Sequence, residues 1–208
     1  MANKFHEKLD QALNDLDISH HVRESHLGEG LPHPNEVLSL IKSTNVPFVM
    51  IGAHGIFQYT GKPRGTIDID FIIGGSMKRI IDAIHETWPK LKIARNPYKT
   101  SFMVGQHEVI DLVKPTQPIF KLALNNKNGD IPSLEMALVL KYAAAISPNR
   151  EKHDKRQDTV DFIRIVEKND VNTNEVMRLT QAAQLYDGAS KEILKLIKDI
   201  KLGKEITI

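Results

Sequence analysis

Between Thr66 and Ile73 the chain reads Thr-Ile-Asp-Ile-Asp-Phe-Ile-Ile, with apolar and polar residues in alternation. A period of two is that of a strand, whose side chains at i and i+2 share a face. Ile67, Ile69 and Phe71 therefore point one way, and Thr66, Asp68 and Asp70 the other. At about 3.3 Å of rise per residue, the two carboxylates lie roughly 7 Å apart along one face. Like charges at that spacing repel, and a divalent cation held between them removes the repulsion most directly. A strand of this kind has to sit where one face meets a core and the other meets something that neutralises two acids.

Composition narrows the setting. The 208 residues suffice for one domain with an appendage or for two small domains. With 28 basic and 26 acidic residues, net charge is only +2, so any nucleic-acid contact has to come from a local patch. Cysteine is absent, which excludes disulfides and thiolate-ligated zinc and suits a reducing cytoplasm. The opening Met1–Glu7 stretch has no apolar signal-peptide core, and no apolar run approaches the ~20 residues of a membrane span.

Periodicity predicts an amphipathic helix over 3–17, a Gly- and His-rich loop over 18–33, and a helix from Pro34 ending near 43–45. Val46–Gly52 reads as a buried strand, followed by the loop Gly52-Ala53-His54-Gly55, a short helix to Tyr59 and a turn over Gly61–Gly65. After the acid-bearing strand at 66–73 comes a helix capped by Ser76, then short strands near 91–95 and 101–105 and a strand over His107–Val113 that Pro115 and Pro118 end. Beyond a turn at 125–130, everything reads as helix: one capped by Ser133, one over 149–168, and two more at about 172–186 and 189–201. The boundary between an α/β half and a helical half is placed at 128–132, giving segments 1–33, 34–130 and 131–208.

Asp111 lies within the apolar run Val109–Val113, where an isolated ionised carboxylate would be costly. It is therefore expected to be paired, protonated or metal-bound. If its strand lies beside 66–73, Asp68, Asp70 and Asp111 converge on one point. Such a set suits two magnesium ions about 4 Å apart, as used for in-line phosphoryl transfer. Hard oxygen ligands and the lack of thiols favour Mg²⁺ or Mn²⁺ over zinc. The plain alternative makes Asp68 and Asp70 solvent-facing and Asp111 a satisfied core acid. The Gly52–Gly55 loop follows a buried strand and opens a helix, so its N–H groups are suited to phosphate oxygens, although such loops are often only tight turns. Arg64 precedes Asp68 by four residues and either contacts phosphate or braces the turn.

Taken together, Val49-Met50-Ile51-Gly52-Ala53-His54-Gly55 and Gly61-Lys62-Pro63-Arg64-Gly65-Thr66-Ile67-Asp68-Ile69-Asp70 resemble the signature of the DNA polymerase β-like nucleotidyltransferase superfamily, nearest to minimal abortive-infection toxins of the AbiEii type. The resemblance is close over 49–73 and looser through Asp111, which fits the third family acid. It implies an α/β (α+β) core with a short mixed sheet, followed by an all-helical domain. It extends to Lys141, and in part to Lys155-Arg156-Gln157-Asp158-Thr159-Val160-Asp161, where Lys155 and Gln157 depart from the usual arginine and lysine. Asp158 and Asp161 share a helix face. Ala53 stands where the family has Gly or Ser; it lacks a hydroxyl and resists positive φ.

The implied activity moves a nucleoside monophosphate from an NTP to an acceptor hydroxyl. Asp68 and Asp70 would bind the metal on the triphosphate. Asp111 would complete a second metal site and promote deprotonation of the acceptor. Gly52, Ala53 and His54 would cradle phosphates, with Thr66 in the nucleotide-binding set. Arg64 and Lys141 would neutralise charge, and Asp158 would reach the nucleotide side. The implied partners are an RNA such as tRNA, or a protein, as acceptor, and an antitoxin protein; no membrane is implied.

Read without the resemblance, Lys141 is a helix lysine whose stem packs while its amine reaches water, and Asp158 is a salt-bridge member of a charged helix. Four histidines at 20, 21, 26 and 33 have neither helical i, i+4 spacing nor cysteines beside them and suit a polar loop better than a metal site. The mixed-sign run Arg150–Arg156, with Lys114, Lys121 and Lys127, would touch RNA only if it lined the cleft. Two other readings are a non-catalytic nucleotide- or partner-binding module, suggested by the Gly-Ala loop, and an unrelated metal-dependent phosphohydrolase.

Overall fold

The computed structural model describes residues 20, 21, 23, 24, 27, 28, 30–61 and 65–206. The helix expected over 3–17 lies outside them. Where a loop is expected over 18–33, the described positions between 20 and 27 are helical. Gly28, at φ +91°, donates its N–H to the Glu24 carbonyl and ends that turn, so its glycine signal marks a helix stop.

Helix α1 (Pro34–Ser43) begins on a proline and is capped by His33. His33 Nδ1 accepts from Asn35 N–H at 3.1 Å, and the Glu36 carboxylate accepts from His33 N–H at 3.2 Å, a reciprocal capping box. Strand β1 (Phe48–Ile51) leads into a 3₁₀ turn (His54–Ile56) and the short α2 (Phe57–Thr60). Then come β2 (Asp70–Ile73), α3 (Met77–Thr87), β3 (Lys92–Arg95), β4 (Lys99–Val104) and β5 (His107–Val113). Ser76 holds the cap position of α3, but its hydroxyl makes no cap hydrogen bond.

The five strands form one mixed sheet in the order β1-β2-β5-β4-β3. Only β2 and β5 run parallel; the other pairs are antiparallel. The acid-bearing strand is shorter than expected, 70–73 rather than 66–73. Its partner β1 ends with Ile51 opposite Asp70, and Gly52 then turns away at φ +67°. On the other edge pairing continues one residue further: Ile69 N–H donates to Val109 O, and Asp111 N–H donates to Ile69 O.

Alternation distributes the strand side chains as expected. Phe48, Met50, Ile69, Phe71 and Ile73 join Ile80 and Ile84 of α3 and Val37 and Ile41 of α1 in one core. Val49 and Ile72 face the other way and join a second core built with the following helices.

The first of those helices, α4 (Pro118–Asn125), is absent from the expectations. Pro118 reads as a strand stop, yet proline also suits a first helical turn, where its missing N–H has no partner to lose. A small hairpin follows, β6 (Lys127–Asn128) within the stretch expected to be a turn and β7 (Ile131–Pro132) just past it. The remaining helices are α5 (Leu134–Ile146), α6 (Lys152–Lys168), α7 (Thr173–Ala182) and α8 (Ala189–Lys201). Ser133 caps α5 as expected, accepting from Met136 N–H at 3.3 Å. Phe162, Ile165, Val176, Leu179 and Ile193 bury their side chains with Met136, Leu138 and Tyr142 of α5. Among the described residues no helix is long and apolar enough to cross a membrane.

One glycine makes the turn after β1 intolerant of a side chain. A β-carbon at Gly55 would lie 2.3 Å from the Met50 carbonyl oxygen, which is backbone and cannot step aside. Gly55→Ala is expected to lower stability by about 1–3 kcal/mol, the usual cost of overpacking, as a lower urea midpoint at unchanged slope. A midpoint equal to that of the wild type would show that the turn relaxes freely.

Candidate active site

Parallel pairing of β2 with β5 sets Asp70 directly beside Asp111. Asp68 follows two positions upstream on the approach to β2. These acids line a cavity of about 760 Å³ together with Gly52, Ala53, Thr66, Lys99, Glu108, Lys141, Arg150 and Asp158. A second cavity, of about 690 Å³, lies around Tyr186 at the α7–α8 end and holds none of the expected residues.

Glycine 52 and Asp70 occupy a shared space. A β-carbon on Gly52 would sit 2.1 Å from Asp70 Oδ2, and the positive φ there also favours glycine. Ala53 needs no such freedom, because its backbone is right-handed helical at φ −63° and ψ −44°. The expected conflict between alanine and this loop therefore does not arise. Thr66 Oγ1 donates to Asp68 Oδ1 at 2.6 Å and orients that carboxylate.

His54 departs from expectation. The 3₁₀ turn buries its imidazole against Phe57, 5.2 Å between ring centroids, and the ring is not among the cavity walls. A side-chain role for it in phosphate binding is thereby withdrawn. Arg64 lies outside the described residues.

The electrostatics reflect crowding of acids. Burial, then the charges of Asp68 and Asp111, push the Asp70 carboxyl well above the usual carboxylate range. Burial also raises Asp111, although the bond from Lys99 and the nearby Ser101 hydroxyl pull it back. Lys99 Nζ donates to Asp111 Oδ2 at 2.6 Å and to Glu108 Oε2 at 2.5 Å. Ser101 Oγ donates to Glu108 Oε1 at 3.0 Å. Burial raises Glu108 too, but the bonds from Lys99 and Ser101 outweigh it and its net shift is downward. Asp111 Oδ1 is buried and has no hydrogen-bond partner among the described residues.

On the helical wall, Lys141 is buried rather than reaching water. Its ammonium donates to Asp158 Oδ1 at 2.9 Å and to Asp161 Oδ2 at 2.8 Å. Arg150 Nε lies 3.0 Å from Asp158 Oδ2. Lys141 and Asp158 thus stand at the cleft, as the resemblance implies, within one ion network; the charge of Lys141 also lowers the carboxyl of Asp70.

Three residues escape the sequence reading. Lys99 and Glu108 belong to a hairpin folded at Gly105, whose register brings Ser101 opposite Asp111; that spacing is the signal that could have found them. Arg23 is fully buried and donates to Ile67 O, Pro32 O and Val109 O at 2.7, 2.6 and 3.1 Å. It ties the approach to Asp68 to the strand carrying Asp111. Burial lowers its guanidinium to about 10, still charged at neutral pH.

Asp68 and Asp70 offer hard oxygens beside a carboxyl strained by neighbouring charge, which fits one divalent cation. Among the described residues, no three acidic or histidine side chains are gathered to grip an ion as they stand. Lys99 already holds one oxygen of the third acid.

No protein-family model and no curated protein matches the chain. Several solved structures are similar in shape. An antigenic nucleotidyltransferase-like protein from Paracoccidioides brasiliensis is 15% identical over 90% of this chain and 96% of its own, with a TM-score of 0.49. The antibiotic-resistance factor ANT(2'')-Ia is 16% identical over 78% of this chain and 95% of its own, with a TM-score of 0.48. JHP933 from Helicobacter pylori is 12% identical over 84% of this chain and 97% of its own, with a TM-score of 0.46.

Two outcomes test this electrostatic picture. The raised Asp70 pKa means that the folded state holds that proton more tightly than the unfolded chain does. Wild-type stability therefore falls as pH rises from the ordinary carboxylate range through the folded-state value. Asp70→Asn removes the penalty, so in metal-free buffer its melting temperature should exceed that of the wild type at pH 8 by an amount reflecting about 1 kcal/mol or more. The gap should close near pH 4, and a gap that widens on acidification contradicts the assignment. Arg23→Ala removes three hydrogen bonds, leaving the Ile67 and Pro32 carbonyls without their donor while Val109 O keeps Ile69 N–H, and should cost about 3 kcal/mol or more by urea unfolding. A loss under about 0.5 kcal/mol would mean that Arg23 ties nothing together.

Proposed function

We propose that this protein is a nucleotidyltransferase of the DNA polymerase β-like type, moving a nucleoside monophosphate from an NTP to an acceptor hydroxyl with release of pyrophosphate. The observation that carries this is the meeting of Asp68, Asp70 and Asp111 with the Gly52–Ala53 loop on one cleft wall. A triphosphate needs both hard-cation ligands and backbone donors, and this wall offers both within the space of two strands.

Asp68 and Asp70 would hold Mg²⁺ or Mn²⁺, which when bound supplies charge neutralisation on the triphosphate. Thr66 holds Asp68 in one orientation for that task. Gly52 and Ala53 present cavity-lining backbone to the phosphates, with Arg64 as a further phosphate contact. Lys141 adds fixed positive potential, while Asp158 and Asp161 hold its ammonium in place and Arg150 pairs with Asp158. Asp111 accepts the proton of the attacking hydroxyl.

The acceptor is an RNA such as tRNA, another macromolecule or a small molecule; by the AbiEii likeness, a toxin acting in a reducing cytoplasm under an antitoxin partner is the setting proposed. The case for a non-catalytic module rested on Ala53, whose helical backbone removes that objection.

The test is transfer itself. Wild-type protein given each α-³²P NTP, Mg²⁺ and total RNA should label an acceptor. Asp70→Asn should lose at least ~10²-fold of that rate while still folding, as expected for removal of a metal ligand. Labelled nucleotide that binds without transfer would favour a binding module. Phosphate release alone would favour a phosphohydrolase.

A further inference from the structure

We infer that Lys99 stands in for a second divalent cation, so that this cleft works with one ion, on Asp68 and Asp70, while Asp111 acts as a carboxylate with one committed and one open oxygen. The inference rests on the nucleotidyl-transfer reading above and concerns how many ions that reaction uses.

Three carboxylates around a triphosphate ordinarily serve two ions, with the third acid shared between the second ion and the acceptor. Here the third acid is already occupied. The Lys99 ammonium donates to Asp111 Oδ2 at 2.6 Å and to Glu108 Oε2 at 2.5 Å, two short charge-assisted bonds. Glu108 is fixed in turn by Ser101 at 3.0 Å. The cation is thus held by residues of two paired strands, β4 and β5. A dication coordinated by Asp111 would press against this ammonium, and like charges at that range repel strongly away from bulk water.

Lys99 is more than a counter-ion that quiets a core acid. Its side chain keeps 28% exposure and lines the cleft, whereas the side chain of Asp111 keeps only 7%. Glu108 has no evident task other than to share that ammonium. The remaining oxygen, Asp111 Oδ1, is buried without a hydrogen-bond partner among the described residues, at the register position next to Asp70. A carboxylate oxygen left without a donor beside a phosphate site suits a proton acceptor.

The step balances with these groups. The acceptor O–H gives its proton to Asp111 Oδ1 as its oxygen bonds to the α-phosphorus. The bond from that phosphorus to the α,β-bridging oxygen breaks, and pyrophosphate carries the electron pair away. Lys99 is a positioning residue here: it fixes which oxygen of Asp111 is free.

Counting ions decides the matter without relying on turnover. The full-length protein is examined by native mass spectrometry with Mn²⁺ and each of the four α,β-methylene nucleoside triphosphates in turn. The expected count is one Mn²⁺ per nucleotide-bound chain for the wild type, for Lys99→Arg and for Asp111→Asn, and two for Lys99→Met. Two ions per wild-type chain, falling to one in Asp111→Asn, overturn the inference and leave the nucleotidyltransferase reading intact. A folded Lys99→Met chain that still binds one ion overturns it as well. If no analogue recruits Mn²⁺ at all, both readings fall together. Should Lys99→Met not fold, the wild-type and Asp111→Asn counts decide alone.

Discussion

The cleft depends on one piece of backbone pairing: two parallel strands that set Asp70 beside Asp111. Each acid alone would be manageable. Side by side, and with Asp68 two residues upstream, they crowd one spot: burial first, and then the charges of Asp68 and Asp111, make Asp70 hold its proton more tightly. The sheet has no cheaper register available. Shifting β2 by one residue would turn Ile69, Phe71 and Ile73 out of the core they share with α1 and α3 and send the acids inward. Hydrophobic burial on one face thus fixes electrostatic crowding on the other.

Three cations answer that crowding from different directions, each through a different kind of partner. Lys99 meets Asp111 from the neighbouring strand. Lys141 faces the cleft from α5 but is held by two aspartates of α6, so its field acts on Asp70 without a direct bond. Among the described residues Arg23 donates to no carboxylate; its bonds go to three carbonyls around the approach to Asp68 and along β5. The first two adjust charge, and the third adjusts position. None of the three donates a hydrogen bond to Asp68 or Asp70 among the described residues.

The legible part of the site was that set by short-range periodicity. Alternation around Asp68 and Asp70, the apolar run around Asp111, the helix start at Pro34 and the cap at Ser133 each need only a few consecutive residues to be read, and each lies where expected. What escaped depends on distant partners. The carbonyls that Arg23 binds at Ile67 and Val109 lie 44 and 86 residues along the chain. The position of Lys99 depends on hairpin register, which shifts at an irregularity between Phe102 and Met103. His54 misled for a local reason: a histidine beside glycine looks like a phosphate donor, but a 3₁₀ turn rotates it inward against Phe57. Pro118 misled because proline ends strands and begins helices equally well.

Glycine 52 joins these themes. Its missing side chain makes room for the Asp70 carboxylate, and its positive φ ends β1 at the residue where Asp70 begins β2. The loop and the acid are therefore one feature, because any larger residue at 52 would displace the carboxylate before it touched a ligand. The result is a turn whose Gly52 and Ala53 line the cavity, set directly against the Asp70 side chain. Backbone N–H groups of such a turn seek an anion, whereas Asp68 and Asp70 seek a cation. A simple anion would be repelled by the acids and a bare cation would leave the donors unused. On the proposed nucleotidyl-transfer reading, a phosphate that arrives carrying its own divalent cation would satisfy both at once, where either component alone would satisfy only one.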